Sequence, residues 1–322
     1  MMSPKPCRRS VAWRPLMSSR TSRMKVRPMA RRIVAMKTMM KRWRVPTAPI
    51  SSKLFAGGLQ EESNRRIGER PYMAEAISDE RLASQELSKL FETHSRVVFF
   101  GGAGVSTASG IPDFRGQDGL YHQQFSYPPE TILSHSFYVA NRGEFYEFYR
   151  TKMIALDARP NQCHLKLAQL EREGVLSAVV TQNIDGLHQM AGSKRVFELH
   201  GSVHRNVCQR CGATFDAEWV MAREHEDYQG APVCPHCRGE IKPDVVLYEE
   251  PLDEKVMIGA IEAISQADAL IVGGTSLVVY PAAGLTRYFN GDSLVIVNRD
   301  PTPQDARADL LISCDIAKAF DF

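Results

Sequence analysis

Four of the seven cysteines stand as two pairs, Cys208-x-x-Cys211 and Cys234-x-x-Cys237, with 22 residues between them. This is the spacing of a tetrahedral zinc site, in which each short turn presents two thiolates on one side. A closed set of four ligands leaves no position for water, so such a metal would hold structure and would not catalyse. Two coincidental pairs, a redox disulfide or a zinc-ribbon nucleic-acid module are the alternatives. Against the last, Glu218, Glu224, Glu226 and Asp227 give the intervening loop an acidic surface. Cys7, Cys163 and Cys314 fit no ligand pattern, and the last two are expected as core thiols.

A second feature is Gly102-Ala103-Gly104, followed by Ser106, Thr107, Ser109 and Gly110. Glycines after a strand let backbone approach a ligand, and a following helix would turn free N–H groups toward a phosphate. A plain tight turn explains the same residues. The spacing departs from G-x-G-x-x-G, and no clear acid ends a second strand to hold a ribose, as a dehydrogenase needs. Nine histidines offer candidate bases, since an imidazole near its ordinary pKa of about 6.5 exchanges protons at neutral pH. His164, beside Leu165 and Leu167, is expected to be part-buried and hydrogen-bonded in a helix; His188 and His204 suit structural roles.

The elements that must position these groups follow from periodicity. Val97-Val98-Phe99-Phe100, Ala178-Val179-Val180, Ala269-Leu270-Ile271-Val272 and Leu294-Val295-Ile296-Val297 are short apolar runs without alternation, as in strands buried on both faces of a parallel sheet. Ser78 is expected to cap a helix to about Glu92, with Leu82, Leu87, Leu90 and Phe91 on one side. A second helix is expected to start at Pro160 and end before Gly174, and a third to lie between Asp253 and Ala267 with Val256, Ala260, Ile261 and Ile264 inward. Strands alternating with helices predict an α/β fold with a doubly wound, Rossmann-like parallel sheet.

Charge divides the chain. Residues 1–60 carry 15 Lys and Arg, no Asp or Glu, and eight of the 13 methionines. The remaining residues hold 25 basic against 37 acidic side chains, a net charge of −12, so the body's charge gives no reason to expect nucleic-acid binding. Residues 1–72 are expected to be a disordered basic leader: a transit peptide, a tail that touches nucleic acid, or a stretch preceding a true start at Met73. No run of about 18 apolar residues suggests a membrane span. Thiols used as metal ligands point to a reducing compartment, expected to be the cytoplasm.

Five ordered blocks then narrow the reading. Gly102 to Gly116 (ending Gly110-Ile111-Pro112-Asp113-Phe114-Arg115-Gly116), Thr181-Gln182-Asn183-Ile184-Asp185, His200-Gly201, Gly274-Thr275-Ser276 and Asn298-Arg299 together resemble the sirtuin family over roughly residues 78–322. The stretch from Phe125 to His135 looks most like bacterial members. The resemblance implies a catalytic domain over 73–322, with a zinc module at about 202–243 inserted in the Rossmann-like domain and NAD bound between them. It implies NAD contacts from Gly102, Ala103, Gly104, Thr107, Phe114 and Arg115. Gln182, Ile184 and Asp185 match the nicotinamide pocket, while Gly274, Thr275, Ser276, Asn298 and, with less support, Ile316 match the adenosine side. His200 matches the general base and Asn183 a residue orienting ribose and water.

The activity so implied is NAD-dependent deacetylation of protein lysines. The acetyl oxygen attacks the nicotinamide ribose and nicotinamide leaves; His200 then assists the 2′-oxygen, giving free lysine and O-acetyl-ADP-ribose. Zinc takes no part. An acetylated protein or peptide is the implied partner, its backbone lying between Val245-Val246 with Tyr248 and the facing stretch Leu277-Val278-Val279-Tyr280-Pro281, of which Leu277 and Val278 are the expected contacts. Tyr248-Glu249-Glu250 departs from the more usual Phe-Gly-Glu, which affects loop shape and acyl preference. Members that take acidic acyl groups carry a tyrosine and an arginine three residues apart; here Tyr149 is followed at that spacing by Lys152, which lacks the arginine fork, so acetyl is favoured over succinyl. Desuccinylation or mono-ADP-ribosyl transfer on the same site, a non-catalytic acetyl-lysine reader and a dehydrogenase remain the rival readings.

Overall fold

The computed structural model describes residues 75–116 and 119–322. The basic leader, Met73 and Cys7 lie outside the described residues. Helix α1 (Glu80–Thr93) leads into β1 (Val97–Gly101), and α2 (Pro129–Ile132), α3 (His135–Ala140), α4 (Arg142–Phe148) and α5 (Gln162–Arg172) precede β2 (Leu176–Thr181). Next come α6 (Leu187–Ala191), β3 (Val196–Glu198), β4 (Gly201–Cys208), β5 (Thr214–Phe215), α7 (Ala217–Met221) and β6 (Ile241–Val245). The chain ends with α8 (Glu254–Gln266), β7 (Ala269–Gly273), β8 (Ser293–Val297), β9 (Leu310–Ile312) and α9 (Ile316–Ala319).

Six strands form one parallel sheet in the order β3-β2-β1-β7-β8-β9. The four apolar runs are its central strands, and β1 and β7 are buried along their whole length. From β1 the chain builds outward through β2 and β3, then returns to the other side of β1 for β7, β8 and β9. The connections therefore part between β1 and β7, where an open α/β sheet leaves a crevice at the carboxyl ends of its strands. The edge strands β3 and β9 have three residues each, and Ile77 pairs with Ile312 to cover part of the β9 edge.

Local signals place the helices with small corrections. Asp79, not Ser78, caps α1, its carboxylate accepting from the Leu82 N–H at 2.8 Å. The buried stripe is Ala83, Leu87, Leu90 and Phe91; Leu82 is one position off it and 43% exposed. Pro160 precedes the α5 cap instead of opening the helix: Asn161 caps it, in a reciprocal box with His164. Asp253 caps α8 and Ala267 closes it, as expected.

A second layer packs on the carboxyl side of this sheet in sequence between β3 and β7. Strands β5, β4 and β6 form a small antiparallel sheet. Its apolar face meets Phe137, Tyr138, Phe145, Tyr146, Phe148 and Tyr149 from α3, α4 and the π-helical turn Tyr149–Met153. Tyr146 donates its hydroxyl to the Ile241 carbonyl at 2.8 Å, and the Tyr138 hydroxyl, 2.9 Å from the same oxygen, shares its hydrogen with the Glu240 carboxylate.

Arg150 fastens this layer. Its side chain is buried, donates to the Val220 and Gly230 carbonyls at 2.9 Å each, and pairs with Glu226 at 2.8 Å. Glu226 and Asp227, expected as an acidic surface, are thus drawn inward, Asp227 lying 3.7 Å from Arg142. Replacing Arg150 by Met strands two carbonyls and one part-buried carboxylate. We expect Arg150→Met to lower unfolding stability by about 3 kcal/mol in urea denaturation; a loss under about 1 kcal/mol would show the ion pair to be dispensable.

Candidate active site

A cleft of about 350 Å³ runs along the carboxyl ends of β2, β1, β7 and β8. Four adjacent strands span about 14 Å, a length suited to an extended dinucleotide. Every residue expected at the cofactor lines it, from Gln182, Ile184 and Asp185 at one end, through Gly102 to Thr107, to Asn298 and Ile316 at the other. Asn183, His200, Gly274, Thr275, Ser276, Phe114 and Arg115 line it too.

The glycines act differently from the sequence expectation. The turns after β1 and β7 pack backbone on backbone, Gly104 N–H donating to Gly274 O at 2.8 Å and Gly102 N–H to Gly273 O at 3.1 Å. A Cβ on Gly102 would stand 2.7 Å from Thr275 Cβ, and one on Gly104 would stand 2.8 Å from Gly274 Cα. Gly274 itself sits at φ +60°. These residues lack side chains because two turns must touch, whatever ligand follows. Nor does an α-helix follow β1 directly: among the described residues the 3-10 turns Ala103–Val105 and Thr107–Ser109 come next. Asn161 anchors them from the start of α5, its amide donating to Val105 O at 2.8 Å and Ser109 Oγ at 3.0 Å.

At the β2 end a polar chain fixes the acidic and amide groups. Ser106 Oγ donates to Asp185 Oδ2 at 2.6 Å and accepts from Asn183 Nδ2 at 3.1 Å, while the Leu187 N–H donates to Asp185 Oδ1 at 2.9 Å. Ser106 is almost fully buried. Sequence reading named it only among its neighbours, because nothing in the local sequence separates it from Thr107 and Ser109.

His200 lies between β3 and β4, its Nδ1 2.9 Å from the Gln182 carbonyl oxygen. A carbonyl only accepts, so Nδ1 carries the hydrogen and Nε2 keeps a free lone pair. Burial lowers this imidazole's pKa below its ordinary value, and the Gln182 carbonyl pulls it partly back. The other histidines of interest do not line the cleft. His164 is fully buried, accepts from the Asn161 N–H at 3.3 Å and is pushed down to about 4 by burial. His188 is buried beside it, and His204 donates from Nε2 to the Asp185 carbonyl at 2.9 Å.

Opposite, Val246 N–H donates to His200 O at 3.0 Å, and Val245, Val246 and Tyr248 line the cleft. Glu249 takes the left-handed φ of +76° where glycine is usual. Its carboxylate accepts from Ser136 N–H at 2.9 Å and Ser136 Oγ at 3.0 Å, at the first turn of α3, which offsets the backbone cost. The facing stretch differs from expectation. Leu277, at φ +54°, turns inward and is 2% exposed; Val278 is exposed, and neither lines the cleft. Val279, Tyr280 and Pro281 of the same expected stretch do line it. Tyr149 is fully buried and off the cleft, whereas Lys152 and Met153 line it.

The four paired cysteines converge at the far end of the small sheet. Their sulfurs lie within 4.8 Å of one another, with Cys208–Cys237 at 3.5 Å and Cys211–Cys234 at 3.7 Å. A tetrahedron with Zn–S bonds near 2.3 Å has edges of about 3.8 Å, so the spacing fits one zinc and is too long for disulfides. The two knuckles repeat one geometry. Cys208 N–H donates to Ala213 O and Gly212 N–H to Cys208 O; Cys234 N–H donates to Gly239 O and Arg238 N–H to Cys234 O. Gly212 and Arg238 both take left-handed φ, +73° and +59°. A Cβ on Gly239 would sit 2.9 Å from Cys208 Sγ, so the knuckle needs a glycine there. None of the four cysteines lines the cleft.

With this geometry in place, comparison with known proteins decides the family. The profile described as Sir2 family matches residues 102–281, more than half the chain. The chain belongs to the Sir2 family. Among Sir2 relatives, a protein of Clostridium acetobutylicum named NAD-dependent protein deacetylase is 56% identical over 238 residues, covering 73% of this chain and 96% of its own. One of the same name from Cutibacterium acnes is 51% identical, covering 74% and 96%. A solved Sir2 structure with a p53 peptide and NAD+ is 40% identical with a TM-score of 0.65, covering 73% of this chain and 95% of its own. Another, Sir2 bound to acetylated peptide, is 38% identical at 0.64, covering 73% and 94%. Among the described residues no helix is long and apolar enough to cross a membrane.

In this Sir2 chain the cysteine cluster and the cleft should separate experimentally. Cys234→Ala is expected to drop bound zinc well below one equivalent by atomic absorption and to lower the melting temperature. Full zinc content in that variant would remove Cys234 from the ligand set.

Proposed function

We propose that this chain is an NAD-dependent protein-lysine deacetylase, moving the acetyl group of an acetylated lysine to ADP-ribose with release of nicotinamide. The observation that carries the reading is His200 in the cleft wall, its Nδ1–H held by the Gln182 carbonyl and its Nε2 free. The names of relatives 50–56% identical point the same way. When bound, NAD supplies the ribose–nicotinamide bond that breaks and the hydroxyl that takes up the acetyl group.

The chain's own residues divide the remaining work. Asp185, with Ser106 on Oδ2 and the Leu187 N–H on Oδ1, keeps lone pairs for a carboxamide. Asn183, tied through one amide hydrogen to Ser106, keeps its carbonyl and second hydrogen for ribose and water. Arg115 brings positive charge beside the Gly102–Thr107 turns, where a pyrophosphate would lie, and Asn298 and Ile316 flank the adenosine end. Nε2 of His200 accepts a proton from a ribose hydroxyl, and the Gln182 carbonyl supports the charge then gained. An acylated peptide adds as a strand between Val245–Tyr248 and Val279–Pro281. Cys208, Cys211, Cys234 and Cys237 hold a structural zinc in a module of about residues 202–243, and four free thiolate ligands suit the cytoplasm.

The short acetyl group suits this cleft better than a succinyl group. Tyr149 is buried away from the cleft, and Lys152 Nζ already donates to Gln123 Oε1 at 3.0 Å. Nicotinamide release should be faster with an acetylated than with a succinylated peptide of the same sequence; the reverse order would overturn this preference.

His200→Tyr is expected to keep its fold and lose at least about 100-fold in deacetylation. Because the His200 pKa is lowered, its neutral form persists to lower pH, and activity falls only as pH drops through that value. The acid limb of kcat/KM should therefore lie below about 6.5. A His200→Tyr variant with unchanged turnover, or a limb centred above that pH, would exclude His200 as the base.

A further inference from the structure

Tyr121 and Tyr248 meet hydroxyl to hydroxyl at 2.6 Å. Tyr248 lines the cleft, and Tyr121 contacts Phe114 and Arg115, which line its other side. Tyr121 is tied to the cofactor side: its N–H donates to Phe114 O at 2.9 Å, its ring packs edge-on against Phe114 at 5.7 Å, and the Arg115 guanidinium lies 5.0 Å over its face. Tyr248 is tied to the substrate side. Its N–H donates to Leu133 O and its carbonyl accepts from His135 N–H, both at 3.0 Å, two residues beyond the Val246 amide that holds His200 O. Among the described residues no other side-chain hydrogen bond joins segment 113–122 to segment 245–250. A phenylalanine at position 248, the more usual residue, could not make it.

The geometry points to Tyr121 and Tyr248 as positioning residues that couple the two sides, so that cofactor and acylated peptide each bind more tightly when the other is present. This rests on the deacetylase reading of the cleft. A ligand against Phe114 and Arg115 fixes the base of Tyr121 and hence the place of its hydroxyl. A peptide against Val246 and Tyr248 fixes the other hydroxyl. Because the bond ties the two sides together, holding one in place lowers the entropic cost of holding the other, and the effect is reciprocal by linkage. Burial and the partner hydroxyl push the Tyr121 pKa up, so its hydroxyl keeps its hydrogen in the contact. The worth of one such bond limits the coupling to about two- to tenfold in affinity.

The test is calorimetric titration of ADP-ribose into the full chain with and without an acetyl-lysine peptide, for the natural protein, Tyr121→Phe, Tyr248→Phe and the double variant. Each substitution removes one oxygen, and thermal melts check the fold. In the natural protein the peptide should tighten ADP-ribose about two- to tenfold; in either single variant the ratio should fall to near one, with no further loss in the double. A natural protein without coupling, single variants that retain it, or losses that add in the double would overturn the proposal. Nicotinamide release from NAD on adding the acetylated peptide is followed in parallel. If the natural protein releases none, the deacetylase reading itself falls; if release is intact and the cycle is additive, only the coupling falls.

Discussion

The peptide unit of Gln182 is bound on every side, and the site depends on that. Its N–H donates to Gly101 O at 2.9 Å, extending the β1–β2 ladder by one residue. Its carbonyl accepts from His200 Nδ1, and its side-chain amide donates to Thr275 Oγ1 at 3.0 Å. One residue thus joins the ends of β1, β2 and β7 to the imidazole. The tautomer of His200 is set by sheet register: a slip of β2 by one residue would present an N–H, a repelling donor, where the carbonyl now stands.

The same crossing explains why the glycines cluster. Parting the chain connections between β1 and β7 opens a crevice, but the turns that leave those strands must still pack together. Gly102, Gly104 and Gly274 make that approach possible, and Thr275 fills the remaining space against Gly102. The packed turns then present Ala103, Thr107 and Ser276 to the cleft from a rigid base. The zinc module is independent of this construction, being held by its own cysteine knuckles and fastened through Arg150 and two tyrosine hydroxyls.

The four central strands were legible because burial on both faces demands continuous apolar runs. The edge strands β3 and β9 were not, since three residues beside solvent need no such pattern. Helix existence was legible and caps less so: Ser78 and Asp79 are both good caps, and only the backbone course selects between them. Residues expected at the cofactor all reached one cleft because they sit at strand ends, where the sheet itself places them. Leu277 and Val278 did not, because a left-handed φ at Leu277 reverses which side chains face in, and no local signal announces it. Ser106 was invisible as a keystone because its partners, Asn183 and Asp185, are 77 and 79 residues away.

Three histidines, His164 and His188 packed ring to ring and His200 apart from them on the cleft wall, show why position within the fold decides their chemistry. His188 and His164 are buried more deeply than His200, and burial holds both below the ordinary pKa. Deep burial also keeps them from any substrate, so their low basicity has no use in proton transfer. His200 lines the cleft and sits against a carbonyl that favours its charged form, so it is neutral at rest and can still bear a proton briefly. A general base in a part-dry cleft must satisfy both demands, because a free lone pair is useless if the resulting cation has no support. The Gln182 carbonyl supplies that support without adding a charge, which a carboxylate in its place would do at the cost of raising the resting pKa and filling the lone pair at neutral pH.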